Sequence, residues 1–74
     1  MKYLAIMNLE GTANNAFKKY EFKAEASTTN AAINKARKQA TNEDLNAMNS
    51  RGNIEIYKQK DFDKKYLNTI SAWN

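Results

Sequence analysis

Cysteine, histidine and proline are missing altogether from the 74 residues, and glycine occurs only at Gly11 and Gly52. Without cysteine there is no disulfide framework, and without cysteine and histidine the usual ligands of a zinc site are gone. Thiol nucleophiles and imidazole acid–base chemistry are excluded with them. So few glycines leave no glycine-rich loop to cradle a phosphate. No apolar run approaches the ~20 residues that span a bilayer. The start, MKYLAIMNLEG, carries one lysine and a short apolar stretch with no small-residue cleavage site, so it reads as a mature N-terminus rather than a leader. No enzyme, cofactor or metal site is expected, and the chemistry points to a cytoplasmic setting.

What is present is a short, basic, alanine- and asparagine-rich chain read as a single domain over 1–74. Eleven alanines swell the 42% hydrophobic content without adding much buried area. The core must therefore come from about ten larger side chains, each contributing roughly 1.5–3 kcal/mol when buried. Such a core leaves little room for a deep pocket, since ligand sites enclose about 300–1,000 Å³. A function carried by the surface follows. The net charge of +4 comes from ten lysines and two arginines against eight acids. It draws nucleic acid and acidic protein alike.

The hydrophobic pattern predicts a small α+β fold with an antiparallel sheet. KYLAIMNL (2–9) is nearly continuous in its apolar character, which suits a central strand buried on both faces. EGTANNA (10–16) reads as a loop, with Gly11 and Asn14-Asn15 suited to positive φ. FKKYEFKAEA (17–26) alternates: Tyr20, Phe22, Ala24 and Ala26 on one face, Lys19, Glu21, Lys23 and Glu25 on the other. Ser27 is the expected helix N-cap, followed by a stripe of Thr29, Ala32, Ile33, Ala36 and Ala40 at helical spacing. The segment after Thr41 either prolongs this helix or forms a second one ending at Gly52, with Leu45 and Met48 inward. NIEIYKQ (53–59) alternates again, Ile54 and Ile56 against Glu55 and Tyr57. In the tail, Phe62, Tyr66, Ile70 and Trp73 recur at helical spacing after Asp61. That favours a C-terminal helix over a fourth strand, while Tyr, Thr, Ile and Trp also suit a strand. Trp73 is expected to dock on the core. A right-handed crossover places the third strand beside the first, in the order 2-1-3, with one helix on one face.

KYEFKAEASTTNAAINKARKQA (19–40) followed by NIEIYKQK (53–60) resembles, in its order of elements, the compact phage-encoded host-takeover and anti-defence proteins. Anti-CRISPR-like inhibitors with one helix on a small sheet are similar. The resemblance implies inhibition by occupying a surface of a larger host complex, often one that normally holds nucleic acid.

Taken together with that resemblance, the residues leave three classes of function open. The first is a non-enzymatic protein that binds a host complex through an acidic or nucleic-acid-binding surface of the partner. The second is a small basic DNA- or RNA-binding protein. The third is a structural or assembly subunit. Glu21, Glu25, Glu55, Asp61 and Asp63 interrupt every basic run, and arginine is scarce, which weighs against base readout. Tyr3, Phe17 and Tyr57 are candidates for a sheet face turned away from the helix, but the strand signature of an RNA-recognition motif is missing. DFD (61–63) and Glu43-Asp44 are the close acid pairs; a calcium loop needs more oxygen ligands, and helix capping is the plainer role. The expected partner-binding residues are Lys19, Lys23, Arg37, Lys38 and Tyr57, with Lys58 and Lys60 beside them.

Overall fold

The structure is a computed structural model that describes residues 2–13, 16–43 and 50–73. β1 (Lys2–Ala13) and β2 (Ala16–Ala26) form an antiparallel hairpin, α1 (Thr29–Asn42) follows, and β3 (Ser50–Lys60) and β4 (Asp63–Ser71) make a second hairpin. The four strands form one antiparallel sheet in the order β2-β1-β3-β4. This is the expected α+β class, with β3 beside β1. Among the described residues, no helix is long and apolar enough to cross a membrane.

Alternation decides which side chains meet the helix. Met7 lies opposite Phe22 on one side and Ile54 on the other, and Ala5 lies between Ala24 and Ile56. Those residues join Ala32, Ile33, Ala36 and Ala40 of α1 in one core, with Phe22 partly buried against it. The helix lies over β2 and β1 and reaches β3 only at its margin. Its contact stripe is mostly alanine, which brings the helix backbone close to the sheet. β1 is central in the sheet, but its continuous burial, at Ala5, Met7 and Leu9, is on the helix side only. On its far face Leu4 is buried, Ile6 and Asn8 are half-buried, and Lys2 and Glu10 are exposed.

The capping residue is Thr28 rather than Ser27. Thr28 is still extended (φ −135°, ψ 158°), and its hydroxyl accepts the Ala31 N–H at 3.1 Å. The strands outrun the expected bounds as well. β1 continues through Gly11, whose φ is not positive, to Ala13, which pairs with Ala16. Asn14 and Asn15 lie outside the described residues. Thr41 and Asn42 belong to α1, Glu43 is its C-cap, and Gly52 lies inside β3 rather than ending a helix. Leu45 and Met48 lie outside the described residues.

The tail is a strand, not a helix. β3 alone would expose a row of backbone donors and acceptors on its outer edge, and residues 63–71 satisfy them by pairing. The reversal is a two-residue turn with Asp61 at φ 54°, a left-handed conformation that aspartate tolerates better than most residues. Asp61 therefore turns a hairpin instead of capping a helix. The register shifts by one between Ile56 and Tyr57, leaving Leu67 as the extra residue of a bulge. Beyond β4 the chain docks as expected. Arg37 Nε donates to the Ala72 carbonyl at 2.7 Å, and the Trp73 indole N–H donates to Ser50 Oγ at 3.3 Å.

Candidate functional site

The sheet face opposite α1 carries no element of secondary structure among the described residues. Strand parity fills it with Lys2, Leu4, Ile6, Asn8 and Glu10 from β1 and the alternate residues Lys19 to Glu25 from β2. β3 adds Arg51, Glu55, Tyr57 and Gln59, and β4 adds Lys64, Tyr66 and Thr69. Leu4 is 5% exposed, tucked beneath its longer neighbours, whereas Tyr66 is 55% exposed. The centre is thus apolar and aromatic, and charges of both signs surround it.

Tyr57 and Tyr66 face each other across β3 and β4, their ring centroids 5.7 Å apart at 67°. Each ring is anchored at its hydroxyl. Tyr57 donates to Glu55 Oε2 at 3.3 Å, and the Tyr66 and Thr69 hydroxyls share a hydrogen bond of 2.7 Å. Partial desolvation and the neighbouring Glu55 carboxylate raise the Tyr57 pKa above the ordinary 10.0. Because the folded value is the higher one, the linked stability is present below pH 10 and fades as the pH climbs through the folded pKa. Ultraviolet titration should find Tyr57 ionising above the normal tyrosine range, and Glu55→Gln should bring it back toward that range. A Tyr57 that ionises normally in the wild-type protein would separate it from Glu55.

The edge-to-face tyrosine pair does not offer two parallel platforms for stacking successive bases, and Glu55 places a carboxylate beside it. The ion pairs of this face, Lys2–Glu25 at 3.8 Å and Lys23–Glu21 at 3.6 Å, are exposed and contribute little to stability. Their consequence is that the positive charge there is partly neutralised.

Both sheet edges are blunted. On β2, Gln39 Nε2 donates to the Lys23 carbonyl at 2.9 Å and Lys35 Nζ to the Glu25 carbonyl at 3.1 Å. On β4, Asn68 Oδ1 takes the Thr69 N–H at 2.8 Å, while Lys64, Lys65 and the bulge disfavour an added strand.

The residues expected to bind a partner do not make one patch. Lys19, Lys23 and Tyr57 share the open face. Lys58 and Lys60 have the parity of Ile54 and Ile56 and belong to the helix side. Lys38 is exposed on α1, and Arg37 holds the tail through the Ser71 and Ala72 carbonyls. Tyr3, placed on the open face by the sequence reading, packs instead against the helix-side core, since it has the parity of Ala5. Phe17 stands 63% exposed on the stretch of hairpin that extends past the start of β3. Tyr66, Leu4 and Ile6 were missed as members of the open face. The signal for Leu4 and Ile6 was the very continuity of β1, which requires apolar residues on both sides.

Comparison with protein-family models, with characterised proteins and with solved structures finds no match to this chain.

Proposed function

We propose that this is a non-enzymatic binding protein whose open sheet face occupies a surface on a larger protein complex. The observation that carries the reading is the Tyr57–Tyr66 pair beside Leu4 and Ile6 within a ring of mixed charge. Aromatic anchors with an apolar centre and a polar rim are the anatomy of a protein interface. A polyanion would meet Glu10, Glu21, Glu25 and Glu55 among the lysines, which favours a protein partner over nucleic acid. The partner class is a host defence or nucleic-acid-handling complex in the cytoplasm, in the manner of the phage inhibitors that the sequence resembles. Lys19 and Lys64, which lie on this face outside the Lys2–Glu25 and Lys23–Glu21 ion pairs, then steer the approach toward an acidic patch and act mainly on the association rate.

The test is paired affinity purification from host extract with the wild-type protein and with a folded Tyr57→Ala/Tyr66→Ala variant. A partner retained by the first and lost by the second is then purified and titrated. Loss of both rings should cost at least about 2 kcal/mol, roughly thirtyfold in affinity. Undiminished binding by the folded variant would move the interface off this face. If generic DNA or RNA binds instead, with affinity falling steeply as salt rises, the nucleic-acid reading takes its place.

A further inference from the structure

The turn between β3 and β4 presents Phe62 to solvent with its side chain 100% exposed, between Asp61 and Asp63. An apolar ring at the apex of a hairpin, on a turn that holds Asp61 at positive φ, is shaped for insertion into something. On the other side of the molecule, α1 and β2 border a shallow, open groove of about 370 Å³ lined by Ala24, Glu25, Lys35, Lys38, Gln39 and Asn42. Lys35 and Gln39 are fixed there by their bonds to β2 carbonyls, so the groove is preformed.

We propose that the Phe62 tip of one molecule docks in the α1–β2 groove of a second copy of this chain. The ring then lies over Ala24 and the aliphatic stems of Lys35 and Gln39. Charge complementarity selects this occupant, because Asp61 and Asp63 flank the ring and the Lys35 and Lys38 ammonium groups of the groove outnumber its one carboxylate, Glu25, which pairs with Lys2. Asp61, Asp63 and Lys38 form no ion pair among the described residues, so docking breaks none. A molecule cannot fill its own groove. The tip and groove lie at opposite edges of the sheet, two to three strand spacings or roughly 10–14 Å apart. Reciprocal exchange of tips closes a dimer and one-way docking builds a ring or a chain; in each case every tip enters the groove of another copy. Glu25 borders both surfaces, but the Tyr57–Tyr66 pair of the open face lies outside the groove and stays available in every copy.

Sedimentation equilibrium of the purified protein tests this, from about 10 µM to about 1 mM at low salt, a range that covers weak self-association. The weight-average mass should rise above 8.5 kDa with concentration. Phe62→Ser should weaken association about tenfold or more. Lys38→Glu and Asp63→Lys should each weaken it alone, and an equimolar mixture of the two should restore it, because each variant's tip then suits the other's groove. All three positions are exposed, so circular dichroism should show the native fold in each variant. A mass that stays at the monomer, self-association indifferent to Phe62→Ser, or variants that fail to rescue each other would overturn the proposal.

Discussion

Replacing Ala36 by glutamate is expected to unfold the protein near neutral pH. Ala36 is completely buried, in the middle of the Ala32, Ile33, Ala36 and Ala40 stripe that α1 lays on the sheet. A carboxylate there has no cation within the core to pair with, and an uncompensated buried charge costs about 3–5 kcal/mol. At ~0.05–0.15 kcal/mol per residue, a chain of this length holds only about 4–11 kcal/mol in total. The added volume acts in the same direction, because a helix seated on alanines cannot move away without opening the whole contact. Thermal melting followed by circular dichroism should show a midpoint lowered by more than about 10 °C, or no cooperative transition at all. Acid should separate charge from crowding. Burial raises the folded pKa of the introduced carboxyl above its unfolded value of about 4.3. The charge penalty is therefore full above the folded pKa and eases as the pH falls through it, whereas crowding is indifferent to pH. Lys38→Glu, on the exposed side of the same helix, should change stability by no more than about 0.5 kcal/mol. An unchanged midpoint in the Ala36 variant would mean that this stripe does not face the sheet.

The helix stripe and the alternation of β2 were legible because one-sided burial writes its period directly into the residues. Tyr20, Phe22 and Ala24 against Glu21, Lys23 and Glu25 admit one reading, and so do Ile54 and Ile56 against Glu55 and Tyr57. The tail was ambiguous for a physical reason. Phe62, Tyr66 and Ile70 recur every four residues, which satisfies the helical repeat and is also an even number of strand steps. What decides between them is the unpaired outer edge of β3, a tertiary demand that no local window contains. The site had a legible part that parity alone could have supplied. Once Ile54 and Ile56 face the helix, Lys58 and Lys60 must lie on that side too, away from Lys19 and Lys23. The position of Tyr66 is different. It depends on the one-residue shift at Leu67, and the bulge has no glycine to announce it.

Gly52 was the other ambiguous mark, and its location in β3 leads to the second large effect. Gly52→Ala should destabilise the protein by about 3 kcal/mol, at the upper end of what overpacking costs. Gly52 lies opposite Leu9 of β1, and a Cβ built there would come 1.8 Å from the Asn8 carbonyl oxygen and 2.8 Å from its carbon. Both are backbone atoms of the central strand, so no side-chain rotation can clear the space. The obstacle is proximity rather than torsion, because the φ of Gly52 is not positive. That distinction sets the sign. At a torsionally compatible site with room, Gly→Ala stabilises by about 0.4–1 kcal/mol through the unfolded chain. Here the same entropic gain is outweighed by forcing β1 and β3 apart. Local losses follow, because the Gly52 carbonyl accepts the Ala72 N–H at 3.0 Å and the neighbouring Ser50 receives the Trp73 indole. Denaturant melts should therefore show a lower midpoint, and hydrogen exchange should quicken at Ile54 and Ala72 before it does so in α1. A variant as stable as the wild type, or more so, would show that β1 and β3 do not approach this closely at Gly52.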